Sequence, residues 1–260
     1  MSYTSLIEQT FFANCRYWGD LHGSLYDTGP ARAMTTGIDS ADLNMAWNEK
    51  PLNVKDRQTI KDIKEYFRKA GLPYWWWLFP GAQSPETIYL LKAEGFSFLD
   101  GIPSMIADLT RLPEHDPCDT MMTVLRIEDQ GDLVLWKEVS FAGFDFPPHT
   151  LGQYDRFVGK FNFNLDSPQK YFLALLNGKP VATSLLFLHE NNAGIYFVTT
   201  LAEERKKGIG LELTLATMRF AKTAGARYAT LQSSPDGLHV YQQAGFQEYC
   251  RVDVYSLNNA

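Results

Sequence analysis

The stretch "KYFLALLNGKPVATSLLFLHENNAGIYFVTTL", residues 170–201, holds three apolar, strand-like runs in close succession. Asn177-Gly178-Lys179 joins the first two runs, and Glu190-Asn191-Asn192-Ala193-Gly194 joins the second and third. Asn-Gly between apolar runs is a strong hairpin signal, so an antiparallel meander is predicted here. The meander feeds directly into "AEERKKGIGLELTLATMRFAKTAGA", a cation cluster, two glycines and then Leu211, Leu215, Met218 and Ala221 at helical spacing before Gly225. A helix ending at a glycine cap follows from that pattern. Hairpins leading into a glycine turn and a helix are not the βαβ alternation of a doubly wound parallel sheet.

Around this centre the C-terminal half reads in a definite order. A strand near Thr123–Ile127 precedes a helix from about Gly131 to Ala142, then a loop and short helix in the aromatic segment Asp145–Asn164, broken by Pro147-Pro148. After the meander, glycine turn and helix come a strand at Arg227–Gln232, a short helix in "DGLHVYQQAGF" and a last strand, "QEYCRVDVYSL".

The N-terminal half carries a weaker echo of this pattern. "GLPYWWWLFPGAQSPETIYLLKAEGF" and "GARYATLQSSPDGLHVYQQAGF" both start at a helix-ending glycine, with Tyr74 and Tyr228 three residues on. Pro85 and Pro235 follow, each eleven residues before a phenylalanine, Phe96 or Phe246, that is preceded by glycine. "DRQTIKDIKEYFRKA" supplies an amphipathic helix before Gly71, and Leu91 stands where the second copy has Tyr241. Upstream of that helix there is no counterpart of "RKKGIG". The first copy is thus expected to keep the scaffold and lack the chemistry. In "YWWWLF" alternation along a strand turns Trp76 away from Trp75 and Trp77. The boundary is placed in the proline- and charge-rich Thr110–Thr120, giving domains 1–118 and 119–260.

A net charge of −6 argues against non-specific nucleic-acid binding, which needs a cationic surface. Cys15, Cys118 and Cys250 lie far apart, with no metal-ligand spacing, so three free thiols and no metal are expected. The N-terminal stretch lacks the pattern of a signal peptide, and no apolar run approaches a membrane span. The expectation is a cytoplasmic protein, monomeric or homodimeric, with no membrane partner.

Glycine near a helix start costs about 1 kcal/mol relative to alanine. Gly208 and Gly210 make sense if an anion must approach the backbone N–H groups of that turn, with Arg205, Lys206 and Lys207 adding charge. A basic turn with glycines for packing would give the same string. The P-loop pattern is absent, since Leu211 and Glu212 follow Gly210, and Leu213 occupies the third glycine position of the dinucleotide pattern.

The R-x-x-G-x-G string Arg205-Lys206-Lys207-Gly208-Ile209-Gly210, closing a hairpin strand and opening a helix, resembles that of the GCN5-related N-acetyltransferase (GNAT) family. With the element order and "HVYQQAGF", the resemblance covers most of residues 119–260; residues 1–118 resemble a degenerate copy. It implies an α/β (α+β) fold of two tandem acyl-CoA N-acyltransferase domains, each a mixed, mostly antiparallel sheet flanked by helices. It also implies acetyl-CoA as cosubstrate, its pyrophosphate cradled by Arg205–Gly210 and its pantetheine arm paired with Phe197–Leu201. Val198, Thr199 and Thr200 would supply a backbone N–H to the oxyanion, and Tyr241 would protonate the departing thiolate. Lys206 stands where many members have glycine, and Ser234 where many have asparagine, two departures that bear on cofactor affinity.

The expected reaction is direct attack of an amine on the thioester. No base is legible: Glu203, Glu204, His189, Glu190 and His239 read as surface residues, and Asp145, His149 and Asp155 form the preferred pool. Phe141, Phe144, Phe146, Tyr154, Phe157, Phe161 and Phe163 suit either an acceptor pocket or a seam between the halves. The alternatives are a non-catalytic coenzyme A-binding or scaffold protein, a longer acyl donor or a hydroxyl acceptor.

Overall fold

The computed structural model describes residues 2–112 and 122–257. The first part of the chain forms α1 (Tyr3–His22), β1 (Tyr26–Asp27), β2 (Ala31–Thr35), β3 (Asn44–Asn48), α2 (Arg57–Ala70), β4 (Trp75–Leu78), α3 (Pro85–Ala93) and β5 (Phe96–Asp108). The second forms β6 (Met122–Arg126), α4 (Gln130–Gly143), α5 (Leu151–Val158), β7 (Gln169–Leu176), β8 (Lys179–His189) and β9 (Asn192–Thr200). It closes with α6 (Ile209–Thr223), β10 (Tyr228–Gln232), α7 (Leu238–Gln243) and β11 (Gln247–Leu257).

Two compact units result: Met1–Ser104 with Tyr249–Ala260, and Met105–Glu248. Strand order in the first is β1-β2-β3-β4-β11-β5, and in the second β5-β10-β9-β8-β7-β6, where only the last residues of β5 belong to the second unit. Residues 113–120 of the expected boundary, with Cys118, lie outside the described residues. The division falls instead at Ser104/Met105, because β11 returns to pair antiparallel with β4, Val254 opposite Trp77 and Tyr255 opposite Trp76. A strand contributed from the far end of the chain leaves no local break for a sequence to show.

The meander forms as its turn residues require. Asn177 and Gly178 take positive φ between β7 and β8, and Glu190 does so between β8 and β9, where the tight turns need left-handed backbone. Leu213, Leu215, Met218 and Ala221 of α6 bury against Ala182, Leu186, Ala193 and Ile195 of the sheet. Each such side chain contributes roughly 1.5–3 kcal/mol when fully buried. On the sheet's other face Trp136 of α4 donates to Ser184 O at 3.2 Å and packs on Tyr171, Phe161 and Phe197.

In the first unit Trp76 joins Ile60, Ile63 and Phe67 of α2, whereas Trp77 packs on Phe11 of α1, the opposed facing that alternation predicts. The series α2-β4-α3-β5 has the same order as α6-β10-α7-β11, down to the left-handed Gly71, Gly95, Gly225 and Gly245. Among the described residues no helix is long and apolar enough to cross a membrane, and no cluster of three metal-ligating side chains occurs.

Because β11 stands between β4 and β5, deleting residues 249–260 should unfold the first unit. The expected readout is a red shift of tryptophan emission from Trp75, Trp76 and Trp77; an unshifted spectrum with native circular dichroism would contradict this pairing.

Candidate active site

The site grows from a disagreement in length between two parallel strands. β10 pairs with β9 from Tyr228↔Asn192 to Thr230↔Gly194, yet β9 runs on to Thr200. From Ile195 onward β9 therefore has a free edge on the side that β10 leaves.

Which backbone groups face that edge follows from peptide geometry. Leu201 N–H donates to Val181 O on the β8 side at 2.9 Å. Thr183 Oγ1, on β8, donates to Phe197 O at 3.1 Å. A trans peptide points its C=O and N–H in opposite directions, so Val198 N–H faces away from β8. Strand alternation places Thr200 N–H and C=O on that same side, and Thr200 O accepts from Arg205 Nε at 3.0 Å. Thr199 is turned inward instead: its backbone pairs with Thr183 and its side chain packs beneath Gly143, where a Cβ would lie 2.7 Å from it.

A bulge sets this arrangement. Leu185 opposes Tyr196 but Thr183 opposes Thr199, so β9 carries one extra residue, and Phe197 takes φ 51° there. The unusual backbone is held by rings around Phe197: Trp136 at 5.8 Å, Phe144 at 5.5 Å and Phe157 at 6.0 Å between centroids. Phe141, Phe146 and Tyr154 continue the cluster, and Tyr154 OH bonds buried Ser140 Oγ at 2.7 Å. The aromatic segment thus braces the bulge, with Phe144 partly exposed at its rim. Phe163 has no ring contact in this cluster.

Beyond β9 the turn opens α6. Gly208 is the N-cap with φ 79°, and no side chain caps the helix. The first internal bond is Glu212 N–H to Gly208 O, so the donors of Ile209, Gly210 and Leu211 have no partner within the helix. Gly208 needs glycine for its left-handed backbone. Gly210 does not: it is helical, and a Cβ there would meet only Thr200 Oγ1 at 3.7 Å and Val240 Cγ1 at 3.9 Å, ordinary contact. Packing therefore leaves its glycine unexplained.

The three cations divide in role. Arg205 is spent on the fold, bonding Thr200 O and Gly143 O at 2.8 Å and so tying the end of β9 to the end of α4. Lys207 pairs with Glu204 at 2.7 Å, and Lys206 is exposed at φ 62°.

α7 leans on the start of α6 through Val240. Its Tyr241 is half-buried against the core and rests edge-on to Phe246, and loss of hydration pushes its phenol up to about 12. The ring lies over Gly237, where a Cβ would be 2.7 Å from Cε2. Ser234 Oγ accepts from Gly237 N–H at 3.2 Å, bracing the same turn. Gly237 and the bulge at Phe197 escaped sequence reasoning, and only the D-G pair before the helix signalled the first.

Of the base pool, Asp145, His149 and Asp155 are exposed on the α4–α5 segment, and Asp155 is paired with Lys137 at 2.8 Å. Glu203 and His239 are exposed, and His189 stacks on Phe187 at 6.3 Å.

The corresponding places of the first unit are closed. β3 and β4 pair through Trp47↔Trp77, one residue short of the end of β3, and Trp76 Nε1 donates across to Asn48 Oδ1 at 2.9 Å. Ahead of α2, Asn53 and Asp56 cap one another's backbone, and Glu86 accepts from Val54 N–H at 3.1 Å. Leu91 is buried, with no polar atom to offer.

Residues 135–246 match the profile of the acetyltransferase (GNAT) family. Among solved structures the chain resembles a GCN5-related N-acetyltransferase from Kribbella flavida at 17% identity, covering 96% of both chains with TM-score 0.73. A GCN5-related N-acetyltransferase from Sphaerobacter thermophilus aligns at 16% identity over 87% of this chain and 76% of its own, TM-score 0.64. A tandem GNAT protein from the clavulanic acid biosynthesis pathway aligns at 16% over 88% and 79%, TM-score 0.58. At these identities the likeness is one of fold. No curated protein matches the chain by sequence.

The two glycines should separate on substitution. Gly210→Ala should stabilise the protein by about 0.5–1 kcal/mol, and Gly208→Ala should destabilise it by about 1–2 kcal/mol. Urea unfolding measures both; a loss at Gly210 would mean that its glycine serves the fold.

Proposed function

We propose that this chain, whose residues 135–246 match the GNAT family profile, transfers an acetyl group from acetyl-coenzyme A to an amine, with the chemistry in residues 119–260. The observation that carries the reading is the uncapped start of α6, with Gly210 unneeded by packing, set beside the free edge of β9. These features fit a pyrophosphate: unpaired N–H donors at the positive end of a helix favour an anion, and a glycine without Cβ lets it approach.

Acetyl-coenzyme A, when bound, supplies an activated acyl thioester and a thiolate leaving group. Lys206, Lys207, Gly208, Ile209 and Gly210 hold the phosphates, while Arg205 acts mainly by fixing the turn. Val198 offers its N–H and C=O, and Thr200 its N–H, to an extended, amide-bearing arm, as a neighbouring strand would, while Thr200 O is held by Arg205. Val198 N–H is the donor for the thioester carbonyl, where negative charge develops. Thr199 and Ser234 contribute through the backbone positions they brace.

Tyr241 holds the proton for the departing sulfur. Burial raises its pKa, so the phenol stays protonated throughout the working range and loses its proton only as pH approaches about 12. The closed seam of the first unit, and the capped turn Val54–Asp56 that leads into its α2, support a count of one acetyl-coenzyme A per chain.

Calorimetry should therefore find a single acetyl-coenzyme A site per chain, weakened in Gly210→Ala although that variant is the more stable. Tyr241→Phe should keep this affinity and lower kcat for amine-dependent thiol release by about 10²–10⁴-fold. No alkaline limb below about pH 11 should belong to this tyrosine. Saturable binding without amine-dependent thiol release would favour a non-catalytic coenzyme A-binding protein; turnover indifferent to Tyr241→Phe would overturn this tyrosine as the acid; absence of binding by folded protein would reject the donor.

A further inference from the structure

Acyl transfer gives no role to the buried amide of Gln232 in the second unit. Gln232 is the last residue of β10, and both Nε2 and Oε1 of its amide are buried with no hydrogen-bond partner among the described residues. A primary amide has two donors and two acceptor lone pairs, and folded interiors rarely leave such a group wholly unpaired. Leaving it unbonded is unfavourable, so a molecule from outside the chain, water or ligand, completes it.

Its position says which molecule. The last β9–β10 pair is Thr230↔Gly194, so Gln232 stands just past it, at the apex where the strands part. Ala229 and Leu231 enter the core beneath α6, which turns Gln232 to the opposite face of the sheet. On that face Tyr196 is laid back over Gly194, where a Cβ would lie 2.5 Å from its ring, and so leans along β9 away from the level of Gln232. On the acyl-transfer reading the donor arm follows the free edge of β9 and its carbonyl end meets Val198, beyond this apex on the same strand. An acceptor reaching that carbonyl passes Gln232.

We infer that Gln232 is the acceptor-recognition residue of this site and that the acceptor is an amine carrying a neighbouring carboxamide. Nε2–H donates to the acceptor's amide carbonyl, and Oε1 accepts from its amide N–H. The inference rests on the acyl-transfer reading. In the transfer the amine nitrogen bonds the acetyl carbon and gives up one proton. The carbon–sulfur bond breaks, its electron pair leaves with sulfur, and a proton joins sulfur to give the free thiol and an N-acetylated amino amide.

Glycinamide and isobutylamine, which share a shape but not the amide, are the probes. The ratio of their kcat/KM values is compared between wild type and Gln232→Met, so that the difference in amine basicity cancels. The ratio should fall by about tenfold or more in the variant. Methionine of similar length removes an unpaired amide, so the ligand-free variant should melt about 2–4 °C higher than wild type. Acetyl-coenzyme A is titrated into both proteins. Absent binding to wild type overturns the donor reading and this inference together. With binding intact, an unchanged ratio, a lower melting temperature, or no reaction with glycinamide overturns the role of Gln232 alone.

Discussion

β9 and β10 run side by side for three residue pairs and then part, and a strand edge released in this way inside a sheet leaves N–H and C=O groups that need partners. The chain meets this demand only in part. It turns Phe197 out of register and locks its carbonyl onto Thr183, leaving Val198 pointed into the gap. Rings from α4 and α5 close around Phe197 and hold a backbone conformation uncommon for a bulky residue. The start of α6, uncapped and glycine-lined, sits at the mouth of the same gap. On the proposed function, an extended ligand with an anionic end and amide groups along its length would satisfy both ends at once.

The first unit shows what happens when the same element order is sealed. Its parallel pair stays together almost to the end of β3, with Trp76 bonded to Asn48 across the seam. Asn53 and Asp56 cap the turn Val54–Asp56 that leads into α2, and the Asp56 carboxylate would repel a phosphate there. We read the two units as copies of one design, of which the first keeps the scaffold. β11 lies against β4, so the end of the chain completes the first unit's sheet.

The C-terminal half was largely legible because its signals are local. Asn177-Gly178 sets a hairpin by backbone preference, and Gly208 and Gly225 mark helix ends by theirs. The placing of Tyr241 near the glycine turn came from order and resemblance, and Val240 against Gly210 gives it a physical basis. Other features depend on distant residues. α1 buries residues around much of its circumference, from Leu6 and Ile7 to Asn14 and Trp18, so no single stripe announces it. The bulge at Phe197 is imposed by surrounding rings, and the inward turn of Thr199 by its register with β8. Arg205 reads from sequence as a phosphate ligand, while its guanidinium is engaged by two carbonyls that only the fold brings together.

Amide hydrogen exchange with and without acetyl-coenzyme A tests the account most directly, because it reads the backbone donors themselves. Exchange should slow at Ile209, Gly210 and Leu211 and at Val198 and Thr200, and stay unchanged at Val54–Arg57 before and at the start of α2. Unchanged exchange at the first set under saturating ligand, or protection at α2 instead, would contradict it.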